Sequence, residues 1–421
     1  MNEIAKKYFI YGNHNMSLFG YGIRLILATF MIAAPSTSIS KDLMAPPSGA
    51  LTGLKHKTYT SMHDKISNCD QMSDQRWRLP RKPIKLNRYK FDTPFISPFE
   101  NPKGSSCKSG FVQNLFGGIN IQTKIKPLIN GSNSDEYGNF SKERTIAMFW
   151  WSVATAHVVF DPKSSSASIV RSRLTEWAKA GALSKNINAP WGSIRYEVAV
   201  LISRIVETVA AFGPELTHDE RKIIGPWLDG LVRKLQRSDW GSRQDNKQYL
   251  SDYTIALWGV VNNDSKVIPQ LARNYKLAIH DLREDGSIVR ESVRGGYSLS
   301  YQAVAHGLLV KQTALIKNVT KVEIALYSAE DNRSILTSMQ NIMQNFYEPK
   351  AQAKKYGRYC PNASKGTVDN PSMIWTKMFL KPVLEYVSYE YPEFKKMTNP
   401  NLVKGRSEYH TMGNVKCMYT E

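Results

Sequence analysis

The hydrophobic residues in the second half of the chain recur at helical spacing. In the clearest case they fall at the i, i+3, i+4, i+7 positions of one buried stripe: Val198, Leu201, Ile202, Ile205, Val209 and Phe212. Gly213-Pro214 ends that helix, and Thr217 followed three residues later by Glu220 predicts a capping box for the next one. Similar patterns predict further helices over 167–182, 247–262, 265–283, 298–317, 322–346 and 371–388.

These helices follow one another through short connections, and no alternating stretch is long enough to require a sheet. The pattern therefore predicts an all-α fold. Successive helical hairpins either stack as a solenoid or close into an α/α toroid. Because the sequence contains no repeating unit, we favour an incomplete α/α toroid, a barrel of helical hairpins.

The texture of the chain divides it into four parts. Residues 41–140 are rich in Pro, Gly, Ser and Lys and predict an irregular, loop-rich segment that wraps on a later core. Residues 141–390 form the predicted helical domain, and 391–421 a C-terminal tail packed on it. The 421 residues, 42% of them hydrophobic, suffice for one large core.

Residues 1–40 resemble a secretory signal peptide. Arg24 precedes the apolar run Leu25–Ala34, and small polar residues continue to Ser40. The run is too short to span a bilayer, and no later stretch reaches about 18 apolar residues. We therefore expect a periplasmic or secreted protein with no transmembrane segment once the signal is removed. An uncleaved N-terminal anchor is the alternative.

The four cysteines are an even set in a chain predicted to meet an oxidising compartment, so two disulfides are expected. Loop-closure entropy favours near neighbours among the three pairings, namely Cys69 with Cys107 and Cys360 with Cys417. No CxxC pair or histidine cluster has zinc spacing, so no metal site is predicted. Composition and spacing give no sign of a cofactor either.

Charge narrows the class of partner. Lys plus Arg total 56 against 36 Asp plus Glu, a formal net charge of +20. Such an excess indicates a polyanionic partner: nucleic acid, anionic lipid or an acidic glycan. An exported protein meets acidic glycans, so we expect an anionic polysaccharide rather than nucleic acid, bound by a monomer.

Two polar and aromatic segments lead into apolar helices, where free N–H groups favour anions. The first contains Asn246, Lys247 and Tyr249. The second runs from Asp285-Gly286 through Glu291 and Arg294 to Ser300-Tyr301. Together they resemble the alginate lyases, which carry Asn-Asn-His-x-Tyr at a helix start and, later, Asp-x-Gly-x-x-x-x-Glu-x-x-Arg followed by Ser-Tyr. The resemblance covers roughly residues 145–385.

The resemblance implies β-elimination in a 1,4-linked uronate polymer. Removing the C5 proton requires the neighbouring carboxylate charge to be offset, a role suited to Asn246 and Arg294. By the resemblance, Tyr301 is both the base that takes the proton and the acid that protonates the leaving oxygen. The pKa of an ordinary tyrosine is about 10, so such a base needs nearby positive charge.

Lys247 departs from the family pattern, which has histidine there. A lysine offsets a carboxylate but is a poor base near neutral pH. Because the family histidine is associated with the opposite sugar face, its loss implies one-faced elimination through Tyr301. It also makes glucuronan or another uronate-bearing exopolysaccharide as good a substrate candidate as alginate.

Further residues near the motifs are candidates for substrate binding: Tyr249, Tyr297, Arg290, Trp240 and Trp191. Structural alternatives exist for most of the site. Asn246 suits a helix N-terminus, Lys247 a solvated surface, Tyr249 and Tyr297 core packing, and Tyr301 a core stripe with Val304 and Leu308. Arg294 suits an i, i+3 pair with Glu291.

Two other functional classes remain open from the sequence. The protein could bind an acidic polysaccharide without cleaving it, as part of an exopolysaccharide pathway, a reading that Lys247 favours. Alternatively it could bind lipopolysaccharide or nucleic acid through charge alone.

Overall fold

The structure, a computed structural model, describes most of the chain from residue 139 to 348 and parts of the remainder. The described residues are 42–47, 81–90, 92–99, 119–129, 139–185, 192–237, 245–292, 294, 297–329, 332–348, 350–351, 354–355, 380, 383–384, 386–387, 390–392 and 419. Outside them lie the predicted signal peptide, Trp191, Trp240, all four cysteines, most of the predicted helix 371–388 and most of the tail.

The described residues form an all-α structure with only isolated β-bridges. Its α-helices, in chain order, are α1 (Asn139–Phe160), α2 (Ser165–Lys179), α3 (Gly192–Phe212), α4 (His218–Gln236), α5 (Asn246–Val261), α6 (Val267–His280), α7 (Val289–Ser292), α8 (Ser298–Thr320) and α9 (Ile335–Tyr347).

Helices α3, α5 and α8 form the centre of the packing. Helix α5 lies between α3 and α8 and also contacts α4 and α6, while α1 packs on α3 and α9 packs on α8. Residues are buried on all sides of α5 and along α8 from Ser298 to Ile316. Helices that are apolar all round belong in an interior, so these central helices hold their N-terminal residues in fixed positions.

Local signals set several helix ends as predicted. Thr217 and Glu220 form the capping box of α4, with both reciprocal hydrogen bonds present. Helix α3 ends at Phe212, and the 3-10 turn Gly213–Glu215 follows. Gly213 has φ +50°, and a Cβ there would lie 2.7 Å from the Cβ of Ser97, so glycine meets both demands.

Two helix predictions need correction. The single helix predicted over 322–346 is wrong: a 3-10 turn (Ile324–Leu326) and a loop precede α9. Asn332 adopts a left-handed φ of +64°, and Ser334 caps α9 by accepting the Thr337 N–H, so the helix restarts there. Helix α1 was not predicted, because its apolar residues surround the helix and leave no single stripe.

The segment before α1 contributes to the core. Residues 81–90 and 92–99 lie outside any helix or strand, and they bury Ile84 and Phe95, each 1% exposed. The ring of Phe95 meets that of Trp258 edge-on at 5.6 Å, and the Ile96 N–H donates to the carbonyl of Val261 at 3.0 Å. This segment therefore binds along α5.

No helix among the described residues is long and apolar enough to cross a membrane.

Candidate active site

The site lies where the start of α5 meets the segment around α7. Asp245 caps α5: its carboxylate accepts the Gln248 N–H at 3.2 Å. The other carboxylate oxygen lies 3.2 Å from the Nε of Arg290, and the Asp245 side chain is 1% exposed. This ion pair joins the first turn of α5 to α7.

Glu291 makes a second connection between the same two elements. One of its carboxylate oxygens accepts the backbone N–H of Asn246 at 2.9 Å, and the other lies 3.2 Å from the Nε of Arg294. The side chain is fully buried. Burial raises the pKa of Glu291, while the charge of Arg294 and the Asn246 N–H act in the opposite direction.

Arg294 stands over the ring of Tyr301. Its guanidinium carbon is 4.6 Å from the ring centroid, a cation–π distance. Glu291 raises the pKa of Arg294, so this cation stays protonated at any working pH. The i, i+3 pair with Glu291 that the sequence allowed is therefore present, together with a contact to the predicted catalytic tyrosine.

Tyr301 is the exception in a buried helix. From Ser298 to Ile316 every other residue of α8 is buried, whereas Tyr301 is 36% exposed. Val304 and Leu308, its suggested partners in a core stripe, are 4% and 0% exposed. The core interpretation of Tyr301 is wrong, and its ring is accessible from solvent.

Lys247 is the corresponding exception in α5, whose other residues, all described, are buried. Asn246, just before it, is 2% exposed and donates its backbone N–H to Glu291. Its side-chain Oδ1 is buried without a hydrogen-bond partner among the described residues. The start of α5 therefore combines the half-buried Lys247 with Asn246, whose backbone N–H is hydrogen-bonded to Glu291.

The predicted substrate-binding residues differ in their exposure and contacts. Tyr297 is 45% exposed, one turn before Tyr301, and so is accessible. Arg290 directs its Nε at Asp245. Tyr249 is a correction: it is 2% exposed and belongs to the hydrophobic core, so its ring cannot stack on a sugar. Trp191 and Trp240 lie outside the described residues.

Tyr196, on α3, belongs to the site but was not predicted. Its hydroxyl is buried without a hydrogen-bond partner in the described part of the chain. Burial raises its pKa well above the ordinary value, and the nearby Glu291, Tyr301 and Asp245 act in the same direction. Tyr196 lies just before the apolar stripe of α3 and belongs to no motif, so no sequence signal singles it out.

The arrangement suits binding of an anion beside a phenol. The positive end of the α5 dipole lies in this region, Lys247 is in the first turn of the same helix, and Arg294 adds a permanent charge next to the accessible Tyr301. Among the described residues, no group of three or more His, Cys, Asp or Glu side chains is placed to hold a metal ion.

Comparison with known proteins gives the sequences and folds that this chain resembles. Residues 159–352 match the family model described as Alginate lyase. An alginate lyase of Pseudomonas fluorescens is 23% identical over 193 residues, 44% of this chain and 50% of the relative. One from Pseudomonas syringae pv. syringae is 20% identical over 242 residues, 56% and 63% of the two chains. The chain thus spans about half to two thirds of these relatives.

Solved structures give the fold. A tyrosine-to-phenylalanine variant of alginate lyase A1-III complexed with a tetrasaccharide has a TM-score of 0.57 at 18% identity, covering 79% of this chain and 99% of that one. The enzyme from Sphingomonas species A1 has a TM-score of 0.50 at 16% identity, covering 91% and 97%. The predicted all-α fold, an incomplete α/α toroid, is confirmed. Residues 159–352 are therefore similar to the alginate lyase family.

Proposed function

We propose that this protein is a polysaccharide lyase that cleaves a 1,4-linked uronate polymer by β-elimination, outside the cytoplasm. The observation that carries the proposal is the accessible ring of Tyr301 beneath the guanidinium of Arg294, at 4.6 Å, on an otherwise buried helix. A phenol beside a fixed cation, at the start of a central helix, matches what proton transfer next to a carboxylate requires.

In the proposed step, Tyr301 is first the base and then the acid. The ionised oxygen of Tyr301 takes the proton from C5, and the electrons of the C5–H bond form the C4–C5 double bond. The C4–O bond breaks, and the departing oxygen takes the proton back from Tyr301. Arg294 and Asn246 stabilise the charge that develops on the C5 carboxylate, and Lys247 adds a further positive charge.

The stereochemistry of the sugar limits the substrates. A single tyrosine reaches one face of the ring, so the C5 proton and the C4 oxygen must share that face. They do so in mannuronate and in glucuronate, and they lie on opposite faces in guluronate and galacturonate. We therefore expect cleavage of polymannuronate or glucuronan, and no cleavage of polyguluronate or polygalacturonate.

The test follows the ultraviolet absorbance of the new double bond during incubation with these four polymers. We expect Tyr301→Phe to abolish the signal, because the phenyl ring keeps the packing and loses the oxygen. Tyr89→Phe is the matched control: its hydroxyl donates to the carbonyl of Arg221 at 3.1 Å, away from the site, so activity should persist. Cleavage that survives Tyr301→Phe would contradict the assignment.

Binding without cleavage is the second candidate, and Lys247 in place of the family histidine favours it. The same incubation separates the two, because a binding protein gives no absorbance change with any of the four polymers but retains one of them in affinity electrophoresis. Binding of unrelated polyanions with equal strength would instead favour recognition through charge alone.

A further inference from the structure

Glu291 is the most tightly engaged charged group of the site, although it cannot meet a substrate. Its side chain is fully buried, and each carboxylate oxygen has its own partner. A buried carboxylate is costly unless it is paired and hydrogen-bonded. Both conditions are met here, by the backbone of Asn246 on one element and the side chain of Arg294 on another.

We propose that Glu291 is the positioning residue of the site, fixing the guanidinium of Arg294 over Tyr301 relative to the first turn of α5. This inference rests on the proposed function, since it assigns Glu291 to the reaction of Tyr301. Glu291 acts through Arg294 and Asn246 and is not itself a catalytic residue.

The position of Arg294 explains why it needs such a partner. It lies after the end of α7 at Ser292 and before the start of α8 at Ser298, where two turn hydrogen bonds hold its backbone: its N–H donates to the carbonyl of Glu291 at 3.4 Å, and its carbonyl accepts the N–H of Tyr297 at 3.3 Å. Neither of these bonds fixes its side chain. Glu291 engages the Nε atom, which leaves the two terminal Nη amino groups outside this ion pair. Those two groups form the fork that binds a carboxylate in a bidentate manner.

The second carboxylate oxygen of Glu291 determines the position of the Arg294 guanidinium relative to α5. The N–H of Asn246 is one of the first-turn donors that a helix leaves without an internal partner. By accepting it at 2.9 Å, Glu291 ties Arg294 to the start of α5, the element that also carries Lys247. One carboxylate thus fixes the distance between the groups proposed to hold the substrate.

The neighbouring ion pair makes the connection resistant to rotation. Asp245 pairs with Arg290, directly beside the contact of Asn246 with Glu291. Two adjacent residues of one element therefore contact two adjacent residues of the other. With two contacts in place, loss of Glu291 should release Arg294 without separating α5 from α7.

The test is a double-mutant cycle on the polymer that the wild type cleaves best. Glu291→Gln keeps an acceptor for Asn246 but no charge for Arg294. We expect kcat to fall about tenfold to a hundredfold with KM changed less than about threefold, because a misplaced group costs transition-state stabilisation. In an Arg294→Gln background the same substitution should lower kcat by less than about threefold, since it acts through Arg294.

The controls separate positioning from folding. Glu284→Gln removes an exposed carboxylate from the same segment and should leave kcat unchanged. If Glu291→Gln fails to fold, Glu291→Asp retains the charge with a shorter reach and takes its place in the cycle. In the Tyr301→Phe background, calorimetric binding of the same polymer adds a readout that needs no turnover, and Glu291→Gln should change the Kd by less than about threefold, as it does KM.

The outcomes are distinguishable. Losses that multiply in the double variant, or a Glu291→Gln enzyme with kcat within about twofold of wild type, would overturn the positioning role while leaving the lyase intact. A wild type that neither cleaves nor binds any uronate polymer would overturn the proposed function and the role of Glu291 with it. A wild type that binds a uronate polymer without cleaving it would overturn the proposed lyase activity and, with it, the role of Glu291 in the reaction of Tyr301.

Discussion

The core of this protein contains three charged groups with no access to water. Arg204 and Glu207 on α3 form an ion pair with each other, and Lys311 on α8 donates to the second oxygen of Glu207. All three side chains are 0% exposed. The Lys311 ammonium also stands 4.4 Å from the ring centroid of Tyr253 on α5, so the group contacts all three central helices.

Replacing Glu207 by glutamine tests how much this group contributes to stability. Arg204 would then be a buried cation without its carboxylate, and Lys311 would lose the anion that keeps its amine protonated. Burial, with the nearby Arg204 adding to it, already lowers the pKa of Lys311 to about 7, and Glu207 is what opposes that shift. Removing one partner of a buried ion pair costs roughly 3–5 kcal/mol, a large share of the ~5–15 kcal/mol that usually holds a domain together.

Urea unfolding at pH 7, followed by circular dichroism, measures this loss. Glu176→Gln is the matched control. The side chain of Glu176 is 44% exposed and that of its partner Arg173 is 24% exposed, and an exposed ion pair contributes about 0–1 kcal/mol. Adding Lys311→Met to Glu207→Gln should restore part of the stability by removing a buried amine that has lost its carboxylate partner. A Glu207→Gln protein no less stable than the control, or a double variant less stable than the single one, would refute this reasoning.

Two further predictions concern backbone strain and pH. Gly286→Ala should lower the free energy of unfolding by about 1–3 kcal/mol, because Gly286 has φ +80° and its new Cβ would lie 2.6 Å from the carbonyl oxygen of Thr337. The control Gly230→Ala adds a Cβ in open space on α4 and should not destabilise the protein. Equal melting temperatures for the two variants would contradict the prediction. Burial lowers the pKa of His306 to about 3, so below about pH 6.5 the unfolded chain binds a proton that the folded chain excludes, and stability falls as pH drops toward about 3. His306→Gln should lose less stability over that range, by up to about 1.4 kcal/mol per pH unit, in urea unfolding measured from pH 7 to pH 4; parallel curves would show that the histidine protonates without unfolding.

The sequence identified those helices and residues whose signals are local. The stripe of α3, the capping box at Thr217 and the i, i+3 pair of Arg294 with Glu291 each depend on residues close together in the chain. Local spacing is what helical periodicity encodes, so these features could be predicted. The motif around Tyr301 was identified instead through its resemblance to the alginate lyase pattern, whose residues also lie within one segment of the chain.

Contacts between distant segments could not be predicted. The hydrogen bond from the Asn246 N–H to Glu291 joins residues 45 positions apart, and a backbone donor leaves no trace in side-chain identity. Tyr249 illustrates the converse error, because its place beside the motif suggested a sugar contact while its face of α5 points into the core. Exposure of a helical residue depends on which neighbours pack on the helix, and the sequence of the helix alone does not contain them.

The segment before α1 limits how far this protein can be truncated from its N-terminus. Arg81 forms an ion pair with Asp252 in the middle of α5, and the two side chains are 2% and 4% exposed. A fragment that begins at α1 would contain every helix from α1 to α9, yet Asp252 would be left as a buried anion without its cation, at a cost of roughly 3–5 kcal/mol. The smallest independently stable unit should therefore begin before Arg81, well upstream of the first residue of the family match.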